Sequence, residues 1–173
     1  LLMTISRSKF WALVLLSVAP LTAYSTGGET HGGDGLRLLF QNAKMHAQEI
    51  VSRVDLDYVP DAIPESVVHW IRQNRDAVSQ DLAATALGWI EEEQATCAVT
   101  RLTPAAEITL SFPTCRSGHT TMKTAIELLL HESVHHFGIA DETFADQVAL
   151  AISLAHDSIE NERLGIWGPI ASD

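Results

Sequence analysis

The sequence contains few basic residues, and this scarcity limits the partners that the protein can have. It has 11 Lys and Arg against 22 Asp and Glu, a formal net charge of −11. Proteins that bind nucleic acid neutralise phosphates with Lys and Arg, and no basic cluster occurs in this sequence. The composition therefore disfavours nucleic acid as a partner and favours cationic ligands, metal ions among them.

Cysteine is equally scarce, because Cys97 and Cys115 are the only two in the chain. In an exported protein an even number of cysteines predicts a disulfide, which would contribute roughly 3 kcal/mol in the chain-entropy model. The alternative is that one of the two cysteines binds a metal ion. We favour the disulfide because better metal ligands lie downstream.

Long apolar runs are absent after residue 25, but one precedes it. Arg7 and Lys9 come before the apolar run Phe10–Ala19, and Pro20 and small residues follow. This arrangement predicts a cleaved signal peptide over residues 1–25, and therefore a secreted or periplasmic protein. The run is shorter than the roughly 20 residues of a bilayer-spanning helix, so we expect no stable membrane span after cleavage.

The residues after the predicted signal peptide are expected to form one domain. Residues 26–35 are Gly-rich and polar, which predicts a flexible N-terminus, and residues 36–173 would form a single domain. Two stretches, 97–102 and 107–112, alternate polar and apolar residues and predict a β-hairpin. Apolar residues at helical spacing predict helices over 36–54, 65–74, 77–93, 122–137 and 142–156. The expected fold class is therefore α+β, mostly helical, with a small antiparallel hairpin before the fourth helix.

The chemistry is concentrated in the run His131-Glu132-Ser133-Val134-His135. Residues four apart lie on one face of a helix, so the two imidazoles can converge on one metal ion. Glu132 lies about 100° further round the helix, where it can act on a water molecule beside that ion. These are the parts that zinc-dependent hydrolysis needs: the ion activates water, and the carboxylate transfers its proton.

The residues that follow sharpen this interpretation. Gly138 allows a sharp turn after His135, and Asp141 then offers an oxygen donor. The whole run resembles the zinc-peptidase pattern HExxHxxGxxD of the metzincin clan, in the form found in small secreted proteases of the snapalysin type. The clan has a methionine-containing turn downstream of the third ligand, which has no counterpart here because every methionine lies upstream.

This resemblance implies a zinc endopeptidase with His131, His135 and Asp141 as metal ligands and Glu132 as general base. It also implies that the strand over 107–112 is the edge strand along which an extended peptide substrate lies.

A second assignment of the third ligand stays open. Glu142 and Asp146 form Glu-x-x-x-Asp, which resembles the third-ligand segment of the gluzincins, where the Glu binds zinc and the Asp orients a ligand histidine. A tight turn between two helices could place Glu142 beside His135. If neither binds metal, Asp141 is an N-cap and the other two are favourable charges in a first helical turn.

Other residues are weaker candidates. His136 is expected to be exposed, and His119 and Tyr58 are candidates to stabilise an oxyanion.

The number of candidate ligands favours catalysis over a structural role. Structural zinc sites normally have four protein ligands, whereas this sequence offers three candidate ligands together with Glu132. The sequence thus predicts an exported zinc-dependent hydrolase that cleaves peptides or proteins. The alternative is a non-catalytic secreted module that binds a metal ion or a partner.

Overall fold

A computed structural model of the protein describes residues 33–163 of the 173-residue chain. The predicted signal peptide over 1–25 and most of the predicted flexible N-terminus lie outside the described residues. The described helices and strands are α1 (Gly33–Arg53), α2 (Glu65–Ala84), β1 (Leu87–Ile90), β2 (Ala98–Val99), β3 (Ile108–Ser111), α3 (Phe112–Ser117), α4 (Met122–His135) and α5 (Glu142–Arg163), with a short 3-10 helix at Leu56–Tyr58. Within that range, no helix is both long and apolar enough to span a bilayer.

The fold is α+β and mostly helical, as the sequence predicted. Helix α1 packs against α2 and α4, and α4 packs against α5. Residues at helical spacing on α1 form much of the core, because Phe40, Ala43, Ala47 and Val51 are fully buried. Apolar residues of α4 and α5 complete this core, so the helix that carries the HExxH run is fixed on its inner face.

The prediction of a separate helix over 77–93 is wrong. Helix α2 runs without interruption to Ala84, and the chain then enters strand β1. The side chain of Thr85 donates a hydrogen bond to the carbonyl of Asp81 (2.8 Å), and the Lys44 ammonium donates to the carbonyl of Thr85. These bonds satisfy the C-terminal end of α2, which would otherwise leave carbonyl groups without partners.

The predicted hairpin is confirmed, although it is shorter than expected and forms part of a three-stranded sheet. Strand β2 pairs antiparallel with β3, with Ala98 opposite Leu110. Strand β1 pairs parallel with the other side of β3, so the strand order is β1-β3-β2. The expectation that residues 107–112 form the edge strand is therefore wrong: β3 is central, and β2 is the edge strand nearer the HExxH helix.

The predicted disulfide between Cys97 and Cys115 is present. It joins the residue before β2 to the short helix α3. Because β2 contains only two residues, this bond fixes the start of a strand that has few backbone hydrogen bonds of its own.

A tight turn connects α4 to α5 and brings their polar residues together. Helix α4 begins with a capping box between Thr121 and Thr124. It ends at His135, and Gly138 adopts a left-handed conformation (φ +77°) that a glycine tolerates best. The indole of Trp70 on α2 makes edge-to-face contacts with Phe137 (5.7 Å) and Phe144 (5.9 Å) on either side of the turn. This aromatic cluster holds the start of α5 against the end of α4.

Candidate metal centre

His131 and His135 project from one face of α4, one helical turn apart. Their Nε2 atoms lie 3.0 Å from each other. Both side chains are largely enclosed, with 14% and 9% of their surface exposed. The sequence prediction that these two imidazoles converge is confirmed.

The third donor comes from the first residue of α5. One carboxylate oxygen of Glu142 lies 2.9 Å from His131 Nε2 and 3.5 Å from His135 Nε2. The three side chains are close enough together to hold one metal ion. Donor atoms on a single tetrahedral zinc ion lie roughly 3.3 Å apart, given zinc–ligand distances of about 2.0–2.1 Å. The observed separations fall close to that value.

Both histidines have an outer partner on the other ring nitrogen. Nδ1 of His131 donates to a carboxylate oxygen of Asp146 (2.8 Å), and Nδ1 of His135 donates to the carbonyl of Ile139 (2.6 Å). With the proton held on Nδ1, each Nε2 presents its lone pair to the shared point beside Glu142. This is the arrangement found for histidines that bind metal ions in proteins.

Asp141 is not part of this cluster. Its carboxylate accepts a hydrogen bond from the backbone N–H of Phe144 (3.1 Å), so it caps the N-terminus of α5. Of the two third-ligand assignments that the sequence left open, the geometry therefore favours Glu142. Asp146 takes the orienting position that the gluzincin resemblance implied.

Glu132 lies beside the two histidines and is 5% exposed. Burial raises the pKa of its carboxyl above the ordinary value, because loss of water disfavours the charged form, while His131 and His135 act in the opposite direction. Its place beside the two imidazoles would let this carboxyl group exchange a proton with a molecule bound at the cluster.

The cluster opens into a cleft of about 810 Å³. One wall consists of β2 with the residues around it, and the floor and far side come from α4 and α5. The lining residues are Thr96, Ala98, Val99, Thr100, Leu102, Thr124, Glu127, Leu128, His131, Glu132, His135, Ala140, Glu142, Asp146, Ala149 and Leu150. Among the described residues that line it, there is no Lys or Arg, so the cleft has an acidic character that favours a bound cation.

The expectation that His136 is exposed is wrong. Its side chain is fully buried and contacts Asp81 on α2 and Thr100 beside β2. Sequence reasoning missed Asp81 and Thr100, because each lies at least 36 residues away from His136 and neither belongs to a local motif. His119 and Tyr58, the candidates for oxyanion stabilisation, do not line the cleft.

The site therefore combines two imidazoles, a carboxylate donor and a buried carboxyl group at the base of a cleft with an edge strand on its wall. Compared with models of known families, with curated proteins and with solved structures, the chain has no match.

Proposed function

We propose that this protein is an exported zinc-dependent hydrolase that cleaves peptide bonds. His131, His135 and Glu142 would bind the zinc ion, and Glu132 would act as general base. The observation that carries the proposal is the convergence of three donor atoms beside a buried carboxyl group at the base of an open cleft. Three protein donors leave a coordination position for water or substrate, as in catalytic zinc sites.

The donor set suits zinc better than the hard cations. Mg²⁺ and Ca²⁺ prefer sites built from oxygen ligands, whereas two imidazoles with one carboxylate are typical of zinc hydrolases. The hydrogen bonds from Nδ1 of His131 and His135 support the same assignment, because they fix the tautomer in which Nε2 binds metal.

A bound zinc ion would supply Lewis acidity, which lowers the pKa of a water molecule and polarises the substrate carbonyl. Glu132 would accept the proton of the attacking water and deliver it to the leaving amide nitrogen. Its position one residue after His131 keeps it close to the cluster without competing as a ligand. Asp146 would hold the ring of His131 in a fixed orientation through the hydrogen bond to Nδ1.

The cleft wall supports a peptide as the substrate. Strand β2 lies at the edge of the sheet and lines the cleft, so an extended peptide could pair with its backbone in the manner of β-strand addition. Val99, Leu102 and Leu150 line the same cleft, and each leaves close to half of its surface exposed. These side chains would contact apolar residues of a substrate bound in the cleft.

The proposed export agrees with the chemistry of the folded domain. A disulfide such as Cys97–Cys115 forms and persists in oxidising compartments outside the cytoplasm. The proposal that residues 1–25 are a signal peptide explains how the chain would reach such a compartment.

The test combines zinc content with hydrolysis. The chain is purified with its disulfide formed, zinc is measured by elemental analysis, and cleavage of fluorescein-labelled casein is followed. We expect one zinc ion per chain, and we expect Glu132→Gln to retain the ion while losing about 10²–10⁴-fold of the cleavage rate. Folded protein without zinc, even after reconstitution, would refute the proposal. Zinc without cleavage of casein or of a peptide library would favour the non-catalytic metal-binding module.

A further inference from the structure

His136 follows a proposed metal ligand in sequence but belongs to a separate polar cluster inside the protein. Its Nδ1 lies 2.5 Å from a carboxylate oxygen of Asp81 on α2, and its Nε2 lies 2.8 Å from the hydroxyl of Thr100. Both ring nitrogens therefore have partners within the fold. The side chain is fully buried, and that of Asp81 is 6% exposed.

This cluster extends into the segment that connects β2 to β3. The hydroxyl of Thr100 also lies 3.1 Å from the carbonyl of Glu107, to which it donates, so it bridges the two ends of the connection. The second carboxylate oxygen of Asp81 accepts a hydrogen bond from the backbone N–H of Ala105 (2.6 Å). Ala105 has a left-handed backbone conformation (φ +52°), which a non-glycine residue rarely adopts without support from its surroundings.

The connection held in this way continues the wall of the cleft. Thr100 and Leu102 line the cleft together with β2. The start of β2 is fixed by the disulfide Cys97–Cys115. At its other end, the hydrogen bonds through Thr100 and Asp81 tie the wall to α2 and to α4, the helix that carries the two histidines of the metal cluster.

Resting on the function proposed above, we propose that Asp81, His136 and Thr100 are positioning residues that set the distance between the cleft wall and the metal centre. His136 directly follows His135, the last residue of α4, so the wall is attached to the end of the helix that carries the metal cluster. An extended substrate must contact the wall and the metal centre at once. The three residues thus control how tightly a peptide binds without touching the reacting atoms.

The test uses two metal-binding probes of different length on the zinc-loaded full chain. Acetohydroxamate is small enough to contact only the metal centre, whereas a Leu-Phe peptidyl hydroxamate also extends along the wall. Thr100→Val keeps the shape of the side chain and removes its hydroxyl. We expect it to weaken the peptidyl hydroxamate about fivefold, the effect of one hydrogen bond, while acetohydroxamate affinity stays within about twofold.

Two further variants separate positioning from direct contact. Thr100→Ser retains the hydroxyl, and we expect it to restore the affinity for the longer probe. Asp81→Asn changes a residue that does not line the cleft. It should nevertheless weaken the peptidyl hydroxamate and not acetohydroxamate, because it weakens the hydrogen bonds of Asp81 with His136 and with the backbone of Ala105.

Ser79→Ala is the matched control for stability alone. Ser79 lies two residues from Asp81 on α2 and donates a hydrogen bond to the carbonyl of Gln48 on α1 (3.2 Å), away from the cleft. We expect this variant to lower the urea midpoint without changing the ratio of the two probe affinities. If Thr100→Val likewise lowers stability and leaves that ratio unchanged, the positioning role is overturned.

Amide hydrogen exchange decides the inference even if the proposed function fails. In the metal-free chain, Thr100→Val should speed exchange across residues 100–107 and leave α4 protected. Failure of the wild-type chain to bind zinc would refute the metal centre, and the exchange result would still show whether the hydrogen bonds hold the wall. Unchanged exchange in residues 100–107 would overturn the inference whatever the zinc result.

Discussion

Helix α4 and the residue that caps its C-terminus, His136, take part in two separate histidine–carboxylate clusters, which use the same chemical groups in different ways. In the cleft, His131 and His135 each bond an outer partner through Nδ1 and direct Nε2 to a shared point. In the interior, His136 has partners on both ring nitrogens.

The carboxylates of the two clusters differ in their exposure to solvent. Glu142 is 74% exposed, whereas Asp81 is 6% exposed and accepts several hydrogen bonds. The comparison teaches that the arrangement of the partners, more than the residue type, separates the two clusters: two Nε2 atoms and one carboxylate oxygen converge in the cleft, whereas each ring nitrogen of His136 has a partner of its own. A cluster suited to a metal ion directs several donor atoms to one point near solvent, and a structural cluster gives each buried polar atom a separate partner.

The largest expected effect is on metal affinity, at the residue that completes the cleft cluster. Glu142→Gln should weaken zinc binding by well over about 100-fold, more than the loss of an outer partner causes. Asp141→Asn is the matched control, because asparagine caps a helix as well as aspartate does and zinc affinity should stay unchanged. Competition titration with a chromophoric chelator measures both. If Asp141→Asn weakens zinc binding and Glu142→Gln does not, Asp141 is the third ligand instead.

A substitution in the interior cluster, formed by Asp81, Thr100 and His136, should instead lower the stability of the fold. His136→Ala leaves the buried carboxylate of Asp81 without its principal partner, so the free energy of unfolding should fall by about 3 kcal/mol. His135→Ala in the metal-free chain removes the hydrogen bond to the carbonyl of Ile139 and the Nε2 contacts with His131 and the exposed Glu142, and it should cost about 1 kcal/mol. Urea unfolding of both variants checks this order. Equal losses would remove the proposed distinction between the clusters.

The outer partner of the cleft cluster should have a smaller effect on metal binding. Asp146→Asn weakens the hydrogen bond that orients the ring of His131, and zinc affinity should fall about 10–100-fold. Stability of the metal-free chain should change little, because most of the Asp146 side chain is exposed. If zinc affinity is unaffected, Asp146 is only a favourable charge in the first turn of α5.

The turn between the two helices should give the smallest effect. Gly138→Ala places a side chain at φ +77° and should cost about 1–2 kcal/mol of stability through backbone strain alone. Gly35→Ala in α1 meets no neighbouring atom, and it should stabilise the chain by about 0.5 kcal/mol. Thermal unfolding compares the two. A neutral Gly138→Ala would mean that the turn is looser than its geometry indicates.

Predictions from the sequence succeeded where the structure is set by neighbouring residues. Helix α4 was predicted from its apolar spacing, and in the structure a capping box formed by neighbouring threonines begins it. The turn at Gly138 was predicted because it needs a left-handed residue there. The pairing of Cys97 with Cys115 was predicted from the even number of cysteines and from the better metal ligands downstream, and the antiparallel hairpin brings the two residues together.

Predictions failed where a distant segment decided the outcome. Residues 87–90 were expected to be helical, but they form β1 because β3 offers a parallel partner about twenty residues further along the chain. His136 was expected to be exposed, but a carboxylate 55 residues away provides its buried partner. Local periodicity contains no information on such contacts, so the interior cluster and the edge strand of the cleft could not be identified.

The sequence alone determined that two histidines and a glutamate share one part of a helix, because helical geometry fixes the directions of side chains one turn apart. It also limited the proposed third donor to two adjacent acidic residues, Asp141 and Glu142. Only the tertiary structure decided between them. The contacts of Trp70 with Phe137 and Phe144 fix the turn between α4 and α5. In that turn Asp141 caps the backbone of α5, and the carboxylate of Glu142 lies beside the histidines. The physical reason is that a one-residue shift along a helix rotates a side chain by about 100°, and only packing fixes that rotation.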